Sequence, residues 1–341
     1  MKDIVLITGC CGRIGSNVLK RLSAAFDVFG LELSQALCSG NIIPIDLSSD
    51  ASVVEAFAQI PHRRIASVIH LAAYYSFDQK HSDLYDKVTV QGTQRLLNAL
   101  QHFDVDQFIF SSTMLVHAPT RPGIPINEHS LVQPSWDYPL SKVRTEELIH
   151  QLRGKISTVI LRIAGVYDDH CHSIPISHQI QRIYEKQLEA HLFAGDVTHG
   201  SSFVHMDDLV DAIELAVKKR KDLPAELVLL VGEPKTLSYD QLQRKISFLI
   251  RGKELKTWSI PKPIAKLGAW VQGLIGHPFI KPWMIDLADD HYELDISRAK
   301  QYLGWFPKRS LEGALPKMIG ELKENPDAWY RLNQLYVLDT L

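Results

Sequence analysis

The chain has 341 residues, of which 45% are hydrophobic and 22% are charged, as is usual for a globular protein in water. A formal net charge of −2 argues against nucleic acid or an anionic membrane surface as the main partner. The cysteines have neither the spacing of a disulfide framework nor that of a zinc site, which predicts a reduced, cytoplasmic protein. They are Cys10, Cys11, Cys38 and Cys171.

The first half of the chain alternates short apolar runs with amphipathic stretches. Strands are predicted at 4–8, 27–31, 42–45, 67–71, 107–111 and 158–162. Helices are predicted between them at 15–25, 51–58, 84–101 and 139–152. This alternation predicts an α/β fold: a Rossmann-like, doubly wound parallel sheet that binds ligands at the carboxyl ends of its strands.

After residue 165 the alternation weakens, although helices are predicted at 178–189, 207–219 and 310–322 and a strand at 227–231. We expect residues 1–165 to form a dinucleotide-binding domain, to which 203–233 returns. Residues 166–202 and 234–322 are expected to form a smaller, interleaved C-terminal substrate-binding lobe. Residues 323–341 would form a tail.

One apolar region of the expected lobe, residues 258–283, has an irregular pattern rich in Pro, Gly and Trp. Its role is open among lobe core, substrate lid and membrane-surface patch, with core as the default. The uncharged stretch 267–280 is too short to cross a bilayer, so no transmembrane segment is predicted.

A glycine-rich turn follows the first strand directly and opens the first helix. Gly9 would allow a sharp turn, Gly12 would let the backbone approach a pyrophosphate, and Gly15 would allow close packing of helix and strand. Free N–H groups at the helix start favour phosphate charge. Glu32 ends the second strand, where a carboxylate can bind the adenosine ribose, so NAD is favoured over NADP; Arg13 is the feature that keeps NADP open.

Tyr138 begins a helix four residues before Lys142, so both side chains lie on one helix face. A nearby ammonium is expected to lower the pKa of the phenol, making Tyr138 an acid/base near neutral pH. Thr113 follows the fifth strand, at the edge where ligands bind, and its hydroxyl can hold the same substrate oxygen.

Together with later motifs, these features resemble the extended short-chain dehydrogenases/reductases, the NAD-dependent epimerase/dehydratase family, with features of 3β-hydroxysteroid dehydrogenases. The remaining motifs are Asp46-Leu47, His70-Leu71-Ala72-Ala73, Ser111-Ser112-Thr113, Leu161-Arg162 with Val166-Tyr167, Phe203 to Asp208, and Leu303-Gly304-Trp305.

The resemblance implies catalytic roles for Thr113, Tyr138 and Lys142, with Tyr138 moving a proton while hydride passes to or from nicotinamide. It implies cofactor contacts by Gly9, Gly12, Arg13, Ile14, Gly15, Glu32, Asp46, Leu47, Leu71, Ala72, Ala73, Ser111, Tyr138, Lys142 and Ile163. It implies substrate contacts by Tyr74, Met114, Gly165, Tyr167 and Phe203. It also implies a homodimer formed through helices 84–101 and 139–152.

Departures from the family pattern bear on the substrate. Gly165 stands where nucleotide-sugar enzymes keep an asparagine, and Ser201 stands where they keep an arginine for the diphosphate. No second such arginine occurs near Ile285, and Met114-Leu115 replaces the acid/base pair of the dehydratases. We therefore expect an oxidoreductase that acts on a secondary alcohol or ketone of a small molecule. A nucleotide-sugar epimerase or dehydratase is the alternative, and a non-catalytic dinucleotide sensor is a third interpretation.

The tract 168–172, with sequence Asp-Asp-His-Cys-His, has ligand types that suit a transition metal. Adjacent residues seldom coordinate one ion together, however, and the tract follows the sixth strand, where a loop is expected. We therefore predict a solvated or substrate-facing loop there and no metal site.

Overall fold

The computed structural model describes residues 2–34, 40–61, 64–76, 81–275 and 282–335. Cys38 and the end of the predicted tail lie outside these ranges. The strands are β1 (Ile4–Thr8), β2 (Asp27–Glu32), β3 (Asn41–Pro44), β4 (Ile65–His70), β5 (Gln107–Thr113), β6 (Ser157–Ile163), β7 (Gly165–Tyr167), β8 (Leu192–Ala194), β9 (Phe203–His205), β10 (Glu226–Val231) and β11 (Trp258–Ile260). The helices are α1 (Arg13–Leu22), α2 (Asp50–Phe57), α3 (Gln91–Leu100), α4 (Asp137–Leu152), α5 (Ile174–Tyr184), α6 (Met206–Lys218), α7 (Tyr239–Arg251), α8 (Lys262–Ile275), α9 (Pro282–Asp286), α10 (Ser297–Leu303), α11 (Leu311–Glu324) and α12 (Pro326–Leu332).

Seven strands form one sheet in the order β10-β6-β5-β4-β1-β2-β3, and all the pairings in it are parallel. The chain winds outward in one direction from β1 to β3 and in the other from β4 to β10, so the order reverses between β1 and β4. The predicted doubly wound α/β fold is therefore confirmed. Ligands of such sheets bind at this reversal, beyond the carboxyl ends of the strands.

The sheet is covered on both faces, which explains why β1 is apolar at nearly every position. Val5 and Ile7 belong to the core on one face, together with α1, α6 and α10, whereas Ile4 and Leu6 belong to the core on the other face, with α2 and α3. Successive side chains of a strand point to opposite faces. A strand buried on both faces therefore reads as a continuous hydrophobic run.

A third core lies among α5, α7, α11 and α12. Trp329 and Tyr330 of α12 are buried in it, so this part of the predicted tail packs on the body of the protein. Helix α7 was missed in the sequence, although its boundary signals are present. Ser238 and Gln241 form a reciprocal capping box at its start, and Gly252 ends it in the left-handed conformation.

Residues near the C-terminus are tied to the first core through α6. The buried Asp208 carboxylate accepts backbone N–H bonds from Lys308 and Arg309, at 3.1 and 2.9 Å. The Trp305 indole N–H donates to the Asp208 carbonyl at 2.8 Å. The Phe203–Asp208 and Leu303–Trp305 motifs therefore meet in space.

Two predicted helices differ from the observed ones. The helix predicted at 84–101 is a π-helix over Tyr85–Val90 that continues as α3. The helix predicted at 178–189 is α5, which begins at Ile174 and ends at Tyr184; Pro175 suits its first turn, where a missing N–H costs little. In the described residues we find no helix with the length and apolar character needed to cross a bilayer.

Replacing Gly15 by Ala should destabilise the protein by about 1–3 kcal/mol, the usual cost of overpacking. A Cβ at Gly15 would lie 2.1 Å from the backbone oxygen of Gly9. At Gly320 in α11 a Cβ meets nothing within 4 Å, so Gly320→Ala should stabilise by about 0.5–1 kcal/mol. Denaturant unfolding of both variants measures these effects, and equal midpoints would contradict the packing argument.

Candidate active site

The glycine turn joins β1 to α1 with the geometry that a pyrophosphate requires. Gly9 has φ +68°, and a Cβ there would come within 2.9 Å of the Ala72 backbone nitrogen. Gly12 is the N-cap of α1, so no side chain blocks the first N–H groups of that helix. The Glu32 carboxylate accepts the Cys11 N–H at 3.0 Å, which places it beside the turn. A backbone cradle flanked by a carboxylate suits the phosphates and ribose of a dinucleotide.

Arg13 projects away from this carboxylate. Its guanidinium pairs with Asp168 at 3.4 Å and donates to the His172 carbonyl, and thus joins the glycine turn to the loop after β7. Arg13, the residue that left NADP possible in the sequence analysis, therefore has protein partners other than a 2′-phosphate.

Each side chain of the tract 168–172 has a protein partner. Asp168 accepts from His172, and Asp169 pairs with Lys317 and His205. His170 pairs with Glu321, and the buried Cys171 thiol donates to the Ser173 carbonyl. The tract therefore forms ion pairs that hold a loop between α1, α6 and α11.

The segment after β4 lies against the glycine turn. The Ala72 N–H donates to the Thr8 hydroxyl at 3.2 Å. His70 is buried between the hydroxyls of Thr8 and Thr93, at 2.7 and 2.9 Å, and burial lowers its pKa to about 3. His70 is thus a neutral structural residue that fixes the path of the predicted cofactor contacts Leu71, Ala72 and Ala73.

The predicted contacts after β3 form a second part of this edge. Asp46 accepts the N–H and the hydroxyl of Ser48, which shapes the turn, while Leu47 is buried below it. Gly92 lies so close that a Cβ there would be 2.9 Å from the Leu47 Cβ. Ile163, at the end of β6, is also buried at the carboxyl edge.

Thr113, Tyr138 and Lys142 lie at one edge of the sheet. The Thr113 side chain acts on the Tyr138 phenol in the direction that lowers its pKa. The Lys142 ammonium lies 5.7 Å from the centre of the Tyr138 ring and donates to the Ser111 carbonyl at 2.7 Å. The end of β5 and the first turn of α4 thus bring two hydroxyls and one amine to the carboxyl edge of the sheet.

The charge states differ from the expected ones. Burial, followed by the neighbouring Tyr75 and Tyr85, raises the pKa of Tyr138, so the predicted lowering by Lys142 is wrong for this structure. Lys142 is itself 2% exposed, and burial lowers its pKa to about 7, against which Glu146 acts. The sequence showed the helical spacing of the pair but gave no measure of how deeply both groups are buried.

A buried ion pair anchors the part of α4 that carries Lys142. Arg162 of β6 contacts Glu146 of α4 at 2.6 Å, and the Ser112 hydroxyl donates to the same carboxylate at 2.5 Å. His117 lies 3.0 Å from the Arg162 guanidinium, and burial with this cation lowers its pKa to about 4. The pair locks α4 onto β5 and β6 and therefore holds Tyr138 and Lys142 in place.

Aromatic rings that the sequence analysis had not singled out surround Tyr138. The ring of Tyr75 lies 5.0 Å from that of Tyr138 at an angle of 82°, and the ring of Trp136 lies 5.4 Å away. Trp136 is two residues before Tyr138, a proximity that could have suggested this contact. Tyr75 is brought in by the loop after β4, which no local pattern indicates.

The predicted substrate residues fall into separate places. Tyr74 packs on Tyr85, with ring centres 4.9 Å apart, near Tyr138, and Met114 is buried beside Thr113. Tyr167 is completely buried and donates to Glu233 at 2.8 Å, so it offers no surface to a ligand in this conformation.

Gly165 and Phe203 contact each other, since β7 and β9 pair at these residues. A Cβ on Gly165 would lie 2.8 Å from the Phe203 ring. The asparagine of nucleotide-sugar enzymes could therefore not occupy position 165 unless Phe203 moved.

The Lys142→Met variant should show a pH-dependent stability difference from the wild type. Below about pH 7 the folded protein carries the full cost of a buried ammonium. Between about pH 7 and the ordinary lysine pKa of 10.5, folded Lys142 loses its proton while unfolded Lys142 keeps it, so wild-type stability rises with pH. The stability advantage of Lys142→Met should thus shrink over this interval in denaturant titrations. An advantage that is constant with pH would contradict a buried, titrating Lys142.

Two curated proteins illustrate the range of relatives. A UDP-glucose 4-epimerase of Vibrio cholerae is 27% identical over 321 residues, which are 92% of this chain and 93% of that protein. The 3 beta-hydroxysteroid dehydrogenase type 7 of Mus musculus is 23% identical, over 93% of this chain and 94% of its own. Relatives at this distance thus include both branches weighed from the sequence.

Two solved structures have a fold similar to that of this chain. UDP-glucose 4-epimerase of Thermotoga maritima with UDP-glucose has a TM-score of 0.71 at 21% identity, over 95% of this chain and 99% of that chain. The Thermus thermophilus UDP-glucose 4-epimerase complex with NAD has a TM-score of 0.69 at 20% identity, over 94% and 99%. At such identities the likeness supports the fold alone.

The model of the NAD dependent epimerase/dehydratase family matches residues 5–232. This range contains the glycine turn together with Thr113, Tyr138 and Lys142. The match confirms the predicted family and agrees with NAD as the predicted cofactor. The chain belongs to the NAD dependent epimerase/dehydratase family of extended short-chain dehydrogenases/reductases.

Proposed function

We propose that the protein transfers hydride at a secondary alcohol or ketone carbon of a small molecule, with Tyr138 as the acid/base. The observation that carries this proposal is the position of the buried Lys142 amine, 5.7 Å from the centre of the Tyr138 ring, beside Thr113 at the end of β5. The hydroxyls of Thr113 and Tyr138, at one ligand-binding edge, can together hold one substrate oxygen.

The proton chemistry follows from these groups. When a ketone is reduced, Tyr138 donates its proton to the oxygen as the carbon receives hydride; when an alcohol is oxidised, the alcohol proton returns to Tyr138. NAD, when bound, supplies the hydride donor or acceptor. Thr113 orients the oxygen. The pKa of Lys142, about 7, allows its amine to change charge near neutral pH and so to adjust the acidity of the phenol.

The cofactor would be held by the residues inferred from the resemblance. Gly9, Gly12 and Gly15 would admit the pyrophosphate, and Glu32 would accept bonds from the adenosine ribose. The close packing of Gly9 on the segment after β4 and the position of Glu32 support this assignment. Arg13 is proposed to contribute by holding the loop after β7 over the turn.

The substrate is proposed to lack a nucleotide diphosphate. Phe203 fills the space beside Gly165, and Ser201 offers no cation. Around the position where a second arginine would be expected, Asp286 pairs with Lys266 and Asp289 pairs with Lys262. A diphosphate there would meet carboxylates whose lysine partners are already engaged.

A nucleotide-sugar 4-epimerase is the second candidate. It is favoured by relatives that carry this name over nearly the whole chain, such as the Vibrio cholerae enzyme. Tyr138 would then take and return the hydroxyl proton at one sugar carbon, and NAD, when bound, would accept and return the hydride.

Three further proposals concern the whole chain. We propose that residues 1–165 and 203–233 form the cofactor domain and that 166–202 and 234–322 form the substrate lobe. We also propose a homodimer formed through α3 and α4, and a cytoplasmic location.

Replacing Tyr138 by Phe should lower kcat by about 100-fold or more, because it removes the proton donor but keeps the ring. The rate is followed as NADH appearance or loss with any secondary alcohol or ketone that the wild type turns over. NAD affinity should be nearly unchanged. Tyr239→Phe, which keeps its ring stacked 3.9 Å from Phe193 in the second lobe, is the matched control. Full turnover by Tyr138→Phe would refute the proposal.

Thermal-shift measurements with uridine, thymidine and guanosine diphosphates should show no stabilisation, whereas NAD should raise Tm in proportion to its occupancy. The NAD shift is the positive control for a folded site. Clear stabilisation by one of the three diphosphates would favour the epimerase candidate over ours.

A further inference from the structure

The site has an aromatic side that the proton chemistry does not use. Tyr75, Trp136 and Tyr138 form a cluster in which the first two rings are 6.5 Å apart and each contacts the third. They come from two separate segments, the loop after β4 and the residues that open α4. Two aromatic rings from different segments therefore lie next to the ring of Tyr138.

Tyr75 remains 51% exposed although its ring lies 5.0 Å from that of Tyr138. In a T-shaped pair the edge of one ring meets the face of the other, so part of the π surface stays available to a third group. The exposed part of Tyr75 thus presents apolar surface next to the Tyr138 ring.

The neighbouring groups define what this surface can accept. Asp137 at the start of α4 adds a carboxylate that is paired with His81, whereas Met114, which follows Thr113, is buried in the core. The face of an aromatic ring carries partial negative charge, which repels anions and attracts polarised C–H groups. A neutral substrate with a C–H face is therefore favoured over a charged one.

We propose that Tyr75 and Trp136 form an aromatic wall that binds the C–H face of a saturated ring whose secondary hydroxyl or ketone reacts at Tyr138. This inference rests on the proposed function. It assigns selectivity to two residues outside the predicted catalytic set. A rigid ring stacked on the wall would hold its oxygen next to Tyr138 and Thr113, whereas an open chain must lose torsional freedom to reach the same position.

The test compares a ring with an open chain of the same carbon number. Cyclohexanol and hexan-2-ol are oxidised with NAD, and kcat and KM are obtained from NADH formation. The wild type should favour cyclohexanol by about tenfold or more in kcat/KM, which corresponds to one or two aromatic contacts. Methyl glucoside is a third probe, which shows whether the ring is a sugar or a hydrocarbon ring.

The variants separate a binding wall from a structural role. Tyr75→Ala and Trp136→Ala should raise KM for cyclohexanol by about tenfold, with a smaller change in kcat, and should largely remove the preference for the ring. Tyr75→Phe should restore the preference because it keeps the π surface. Phe248→Ala, at a residue that is 58% exposed on α7, should leave kcat/KM unchanged for both cyclohexanol and hexan-2-ol. NAD affinity and Tm of each variant show whether it is folded.

Binding is measured independently by saturation-transfer NMR with irradiation of the aromatic protons. Selective transfer to cyclohexanol without NADH formation would support the wall and refute the proposed hydride transfer. NADH formation without preference for the ring would refute the wall and leave the proposed function standing. The wall is also refuted if neither alcohol binds, or if Tyr75→Ala and Tyr75→Phe behave alike.

Discussion

The buried ion pair between Glu146 and Arg162 is the interaction on which the candidate site depends. It joins α4 to β6, and Ser112 extends it to β5. Together with the bond from Lys142 to the Ser111 carbonyl of β5, this charged pair fixes the rotation of the helix as well as its distance. Removal of one charge would leave the other buried and unpaired, which is far more costly than loss of a surface pair. The positions of Tyr138 and Lys142 are set by this pair.

Much of the fold could be predicted because its signals are local. The apolar runs that became β1, β5 and β6 are buried on both faces, and the glycine turn after β1 constrains the chain at specific backbone positions. Thr113 and Tyr138 could be predicted to share one edge of the sheet because the end of β5 and the start of α4 both lie there. That inference needs only the topology of the sheet, which the alternation of strands and helices along the sequence already indicates.

Other features depend on burial and on distant segments, which the sequence does not display. The spacing of Tyr138 and Lys142 suggested a lowered phenol pKa, but in the folded protein desolvation outweighs the attraction of a single amine that is itself partly neutral. Tyr75 reaches the site through a loop after a different strand. Likewise, Tyr167 is completely buried in the third core, where it donates to Glu233, a residue that is distant in the chain.

The position of β10 has a consequence for how this protein can be divided. It pairs with β6 at one end of the sheet, although three short strands and the helices α5 and α6 intervene in the chain. A fragment that stopped at residue 165 would present the whole length of β6, with its unpaired N–H and C=O groups, as a new sheet edge. Such edges associate with other chains. Residues 1–165 alone are therefore not a transferable piece of sequence, because the strand that covers their β6 edge is synthesised only after residues 166–202.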